Sequence, residues 1–243
     1  MKLDQRKAER VRNILLEMKD GDLIWPWLHD DDGEVIQRLN KKRANKFLLG
    51  CIIDYQMRAG VAWDNARRLA EQELGDPDDL WECIGSHTKK EWMALRPKYK
   101  WLHRFPQAHY RVWRIAREVR DNHGGDARNI WKDADPGTVN KRLKAIRLGP
   151  QLSKMAVGAL TDTGHLRGCS DVKADLNLRR VLGRVFGQTD MSDNDVTRTT
   201  RLMFPKNPWT LDGILFKHGR KICTARPVCN KCKLRSECSY SYP

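Results

Sequence analysis

Residues 223–238 read CTARPVCNKCKLRSEC and hold four of the chain's seven cysteines: Cys223, Cys229, Cys232 and Cys238. Their spacing is C-x5-C-x2-C-x5-C. Thiols clustered in this way form disulfides in oxidising compartments and bind metal in reducing ones. The opening MKLDQRKAERVRNILLEMKD carries no apolar core of signal-peptide length, and no run of apolar residues is long enough to span a bilayer. A cytoplasmic location is therefore expected, and with it metal rather than disulfide. Zinc is commonly held by two close Cys pairs separated by a longer spacer. Here only Cys229 and Cys232 form a close pair, and thiolates spread over one loop suit a larger cluster held by four Cys. The spacing favours iron–sulfur, with zinc as the competing reading. Cys51, Cys83 and Cys169 are scattered and read as small core residues.

Around the cysteines the chain is basic. Its 243 residues contain 46 Lys and Arg against 31 Asp and Glu, a formal net charge of +15. A pI near 9.7 without a membrane segment points to a polyanion, most simply nucleic acid, and to a nucleoid-associated protein. The basic residues are concentrated. Arg96, Lys98, Lys100, Arg104, Arg111, Arg114, Arg117 and Arg120 fall in one stretch, and residues 217–235 hold another. Acidic residues cluster elsewhere, at 30–32 and 76–79. The nine tryptophans read mainly as core residues, with base stacking as a second use.

The hydrophobic pattern is helical almost throughout. Ala8, Val11, Leu15 and Met18 share one helical face, and Phe47, Leu48, Cys51, Ile52 and Tyr55 mark a second, strongly apolar helix. Trp63, Ala66, Ala70 and Leu74 predict a third helix, ended by Gly75 and Pro77. Thr88 with Glu91 reads as a capping box opening a short helix that stops before Pro97. Val112, Ile115, Ala116 and Val119 predict a further helix stopped by Gly124 and Gly125. Others are expected over 138–147, 152–160, 175–186, 193–203 and 210–218, punctuated by Gly149, Gly187, Pro205 and Gly219. No alternating strand pattern, repeat or low-complexity linker stands out, so the expected fold class is all-α.

The stretch TLDGILFKHGRKIC (210–223), continued by TARPVCNKCKLRSECSY, resembles the carboxy-terminal end of the endonuclease III (HhH-GPD) superfamily of iron–sulfur DNA glycosylases. There a helix ending in H-G-R leads into a four-Cys [4Fe-4S] loop. His218, Gly219, Arg220, Cys223, Ala225, Arg226, Cys229, Cys232 and Cys238 match, with a first spacer of five residues where the family usually has six. The resemblance implies a two-lobed helix–hairpin–helix DNA glycosylase fold with a C-terminal [4Fe-4S] cluster loop. It implies a helical barrel domain over 44–165, with the hairpin near 146–160, and a cluster domain built from 1–43 and 166–243. The expected partner is double-stranded DNA carrying a lesion or mismatch, bound by a monomer.

The same resemblance nominates site residues. IRLGPQLSKMAV (146–157) stands where the family has its hairpin, with the turn read as Gly149-Pro150-Gln151-Leu152 and the second glycine missing. Gly149 and Gln151 would then face a DNA phosphate across the start of the next helix. VKADLNLRRVLGRV (172–185) carries Asp175, Asn177, Arg180 and Val181 in the order of the family's essential-Asp motif. Read by itself, Asp175 is an N-cap. In register with the hairpin and the cysteines it is expected to be catalytic. Lys154 aligns with the family's catalytic lysine, and both a nucleophilic and a solvent-facing role stay open for it. Gln56, in LLGCIIDYQMR (48–58), matches a Gln that points at the DNA from the end of an apolar helix. Arg226 and Lys231, on the cysteine loop, are expected to contact phosphates. Residues 76–105 look like an insertion or a rebuilt region. The implied activity is excision of a damaged or mismatched base, with AP-lyase activity through Lys154. The alternatives are a non-catalytic DNA-binding iron–sulfur protein on the same scaffold and a zinc-bound basic module on an unrelated all-α body.

Overall fold

The computed structural model of the protein describes residues 4–21, 23–188 and 190–240. Among them are twelve α-helices: α1 (Gln5–Glu17), α2 (Lys41–Ile53), α3 (Ala59–Arg67), α4 (Leu80–Gly85), α5 (Lys89–Ala94), α6 (Pro106–His123), α7 (Arg128–Trp131), α8 (Pro136–Ala145), α9 (Pro150–Asp162), α10 (Leu176–Phe186), α11 (Asp193–Met203) and α12 (Thr210–Lys221). β-structure among the described residues is limited to two isolated bridges, Pro26 with His29 and His29 with Val35. No helix among them is long and apolar enough to cross a membrane. The all-α expectation holds, and local chemistry explains most boundaries. Asp4, Asn40, Thr88, Asp135 and Ser192 cap α1, α2, α5, α8 and α11 with side-chain oxygens. Prolines open α6, α8 and α9, where their missing N–H costs nothing. Gly124 and Gly187 close α6 and α10 in the left-handed conformation. The periodic pattern did not reveal α4 and α7, which span six and four residues, too few for a helical period to repeat.

The chain divides into two compact units, Met1–Leu23 with Cys169–Pro243, and Ile24–Gly168. The expected division placed residues 24–43 and 166–168 with the cysteine loop. They belong to the second unit, and side-chain packing shows why. Trp25 and Trp27 lie 6.5 and 5.7 Å from the ring of Trp63, while Leu166 N donates to Leu160 O at 3.0 Å.

In the Ile24–Gly168 unit, α2 and α9 are nearly submerged. Phe47, Leu48, Leu49, Cys51, Ile52 and Ile53 of α2 are inaccessible, and Met155–Leu160 of α9 are all buried. Gly50 is glycine because any Cβ there would run into the indole of Trp63. Asn45 ties the unit together. Its Oδ1 accepts from Trp81 Nε1 at 2.8 Å and Ala127 N at 3.0 Å, and its Nδ2 donates to Pro77 O at 3.1 Å and Gly125 O at 3.2 Å. The side chain is fully buried and fully bonded. Asn45→Ala strands these partners and opens a cavity, so a loss of about 3–5 kcal/mol is expected. Urea unfolding followed by tryptophan fluorescence checks it, because eight of the nine tryptophans lie in this unit.

The other unit packs α1, α10, α11 and α12 around Val11, Leu15, Leu178, Val181, Leu182, Val196, Leu211 and Leu215. The cysteine loop closes against this core through Leu234, which is buried. Arg10 of α1 grips Glu237 of the loop through two bonds of 2.8 and 3.0 Å.

Candidate functional site

The motif residues Asn177, Arg180, His218 and Gly219 meet at the root of the cysteine loop. Arg180 Nε donates to Cys223 O at 2.6 Å, and its terminal nitrogen reaches Gly219 O at 2.8 Å and Asn177 Oδ1 at 2.9 Å. One guanidinium thus fastens the start of α10 to the end of α12 and to the first cysteine. Gly219 permits the approach: a Cβ there would stand 2.7 Å from Asn177 Cβ. Four residues on, Arg184 donates to Cys223 Sγ at 3.3 Å, Thr224 O at 2.7 Å and Ala225 O at 3.2 Å. His218 is buried, with Nε2 at 3.4 Å from Cys232 Sγ, and burial holds its pKa down. The sequence offered no role for Arg184; its only signal was a position one turn after Arg180.

Cys223 is buried, while Cys229, Cys232 and Cys238 are partly so. Among the described residues no three His, Cys, Asp or Glu side chains gather closely enough to hold a single metal ion. One of the four thiols, Cys232, nevertheless senses the other three. Burial pushes the Cys232 thiol up, and the nearby Cys223, Cys238 and Cys229 add to the effect against a bond from Leu234. Four soft donors on one loop, with a cation touching one sulfur and an imidazole beside another, suit a [4Fe-4S] cluster in number and chemistry. The scattered cysteines differ from the expectation in part. Cys51 is a core residue, but Cys83 is half-buried and Cys169 is exposed. Arg226 and Lys231 are exposed, with no carboxylate partner among the described residues.

Asp175 caps α10. A single oxygen, Oδ1, accepts from Asn177 N at 2.7 Å and Leu178 N at 3.1 Å. Oδ2 takes neither of these bonds. The carboxylate is half-buried, its Cα follows an extended backbone, and the next residue, Leu176, is 72% exposed. Capping and chemistry are therefore not rival uses of Asp175. The cap orients the group through one oxygen and leaves the other out.

The interhelical turn between α8 and α9 departs from the expected one. Gly149-Pro150-Gln151-Leu152 is not the turn: Pro150 already starts α9, and the reversal falls at residues 146–149. Arg147 takes the left-handed conformation, φ 69°, and Leu148 N donates back to Leu143 O at 3.0 Å. This closes α8 as a glycine would, at a cost of about 1 kcal/mol for a side chain in that region. Gly149 is the N-cap of α9 with φ −60°, and no atom lies within 4 Å of where its Cβ would stand. Gln151 lies in the first turn of α9 and is half-buried. Lys154 is the one charged residue between Leu152 and Leu160, half-buried on a helix whose other residues there are buried.

Gln56 is not at a helix end. α2 stops at Ile53, and Gln56 sits three residues later, exposed, with φ 50°. Its neighbour Tyr55 anchors this turn. The Tyr55 ring stacks on His103 at 4.4 Å, Arg111 covers it at 4.3 Å, and His103 Nε2 lies 2.9 Å from Tyr55 O. A strained, exposed polar residue on a rigid base is a common arrangement at ligand-binding positions.

The helical architecture, with the helix–turn–helix of α8 and α9 in one unit and the four-Cys loop in the other, has the fold of two solved structures. A trapped endonuclease III–DNA covalent intermediate in an estranged-adenine complex superposes with a TM-score of 0.66. That likeness covers 98% of this chain and 97% of that one at 16% identity. A thermostable thymine-DNA glycosylase gives 0.64 over 97% and 96%, again at 16% identity. In sequence, endonuclease III of Sulfolobus acidocaldarius is 32% identical over 75 residues, which is 30% of this chain. The match spans 34% of that relative's length. The chain matches no protein-family profile.

Proposed function

We propose that the protein is a DNA glycosylase that flips a damaged or mismatched base out of duplex DNA and cuts its N-glycosidic bond. The observation that carries this reading is Asp175, oriented by Oδ1 at the start of α10 beside an Asn177–Arg180 staple, with Oδ2 outside the cap. The fold and the sequence likeness to an endonuclease III support it.

A base inside a duplex is out of reach, so it must leave the stack. Gln56 is assigned to the gap it leaves, and Gly149, Gln151, Arg226 and Lys231 to phosphates on the strands. Breaking the glycosidic bond sends the electron pair to the base and builds positive charge on the sugar. The Asp175 carboxylate stabilises that charge. Lys154 Nζ then adds to the sugar carbon and loses a proton; the ring C–O bond at that carbon breaks, its oxygen takes a proton, and the resulting imine loses the 3′ phosphate by β-elimination, which cleaves the strand. Cys223, Cys229, Cys232 and Cys238 are assigned to a [4Fe-4S] cluster, which when bound holds the loop folded. The protein is assigned to double-stranded DNA as a monomer.

Duplexes carrying a panel of lesions and mismatches test the reading. Base release from at least one is expected. Borohydride should trap a covalent protein–DNA adduct that is absent from Lys154→Ala. Base release without an adduct, or without strand breakage before alkali, would instead make the enzyme monofunctional, with water as the nucleophile. No release from any duplex, with binding intact, would leave a DNA-binding protein.

A further inference from the structure

Residues 86–120 contain ten Lys and Arg but only two Glu, so this seventh of the chain carries about half of its net charge. Several of these cations rest on aromatic rings. Lys89 and Arg114 cover Tyr110 at 4.7 and 5.5 Å, Arg104 covers Phe105 at 4.6 Å, and Arg111 covers Tyr55 at 4.3 Å. Tyr110 stacks in turn on Trp113 at 5.7 Å. Among the described residues none of Lys89, Arg104, Arg111 and Arg114 has a carboxylate partner, and Arg114 Nε is buried without a hydrogen bond. Elsewhere in the stretch cations are compensated: Lys98 meets Glu73 at 3.3 Å, and further along α6 Asp121 meets Arg117 at 4.0 Å and Arg120 at 2.7 Å.

Rings that already carry cations are poor platforms for bases. Eight of the nine tryptophans are no more than 9% exposed, and the ninth, Trp101, is covered by Arg68 at 4.1 Å. The stacking mode of single-strand recognition is therefore closed to this face. The rings instead restrict the cations. A guanidinium held on a ring is pre-organised, loses less side-chain entropy on binding, and presents its outer N–H groups to an anion. Arg111 and Arg114 lie one turn apart on α6, and Arg111 covers the tyrosine next to Gln56.

We propose that Lys89, Arg104, Arg111 and Arg114 form a phosphate track for one arm of a DNA duplex, leading along α6 to the turn of Gln56. The track carries affinity and register, with no base preference. The inference rests on duplex DNA being the partner, but not on any base being excised.

Binding to an undamaged duplex at a series of salt concentrations tests it. Each lost phosphate contact lowers the slope of log K against log salt by about 0.9. Lys89→Gln with Arg114→Gln is expected to lower the slope by about 1.8, while Arg114→Lys retains it. An unchanged slope in a folded double variant overturns the track, whatever the base-release result. Should the double variant fail to fold, lysine acetylation of the wild-type protein decides. Bound duplex should protect Lys89, and equal labelling with and without DNA overturns the proposal. Tighter binding of single strands than of duplex overturns it as well.

Discussion

Asp175→Asn protein is expected to fold and bind duplex DNA, yet to release bases roughly 10²–10⁴-fold more slowly than wild type. The substitution is a clean probe because of how the cap is made. An asparagine can offer the same acceptor oxygen to Asn177 N and Leu178 N, now at 2.7 and 3.1 Å, so α10 keeps its start. What disappears is the negative charge. Asn is as good a cap as Asp, so the loss of stability should stay within a few tenths of a kcal/mol of dipole and charge effects. Single-turnover base release, read beside the urea midpoint, separates the two roles. Near-normal release by a folded Asp175→Asn protein would return Asp175 to a cap and nothing more.

Cys232→Ser is expected to abolish metal loading and to unfold the loop from residue 222 to 240 while the Ile24–Gly168 unit keeps its helices. Binding free energy at such a site is folding free energy, because the unfolded chain has no preformed cage. The loop's other attachments include Leu234 in the core, Arg10 on Glu237, the Arg180 and Arg184 bonds to backbone carbonyls, and Ser239 bonded to Val185 O and Lys7. Elemental analysis of protein purified without oxygen should find iron in the wild type and little in the variant. Limited proteolysis should then cut the variant within the loop first. Stoichiometric zinc without iron in the wild type would refute the cluster assignment.

The helices were legible because their signals are local. Periodicity, N-caps, prolines and stop glycines act over one or two turns, and the capping box at Thr88 and Glu91 appears as read. The thiol spacing was legible for the same reason. Within the hairpin, the turn was set a few residues late because its left-handed position is filled by Arg147, and no glycine marks it. Gln56 was placed on a helix because the apolar run gives no sign that α2 stops at Ile53.

By itself, the sequence determined an all-helical, basic chain with four cysteines on one loop and Asp175 in a D-x-N-x-x-R-V pattern. Only the tertiary structure decided which oxygen of Asp175 the cap consumes, and that Arg180 reaches a carbonyl 43 residues away. It also decided that the cations of α6 lie on rings rather than on carboxylates. The physical reason is range. A helix is specified by neighbours within four residues, whereas a guanidinium finds its carbonyl or its ring only after the helices have packed.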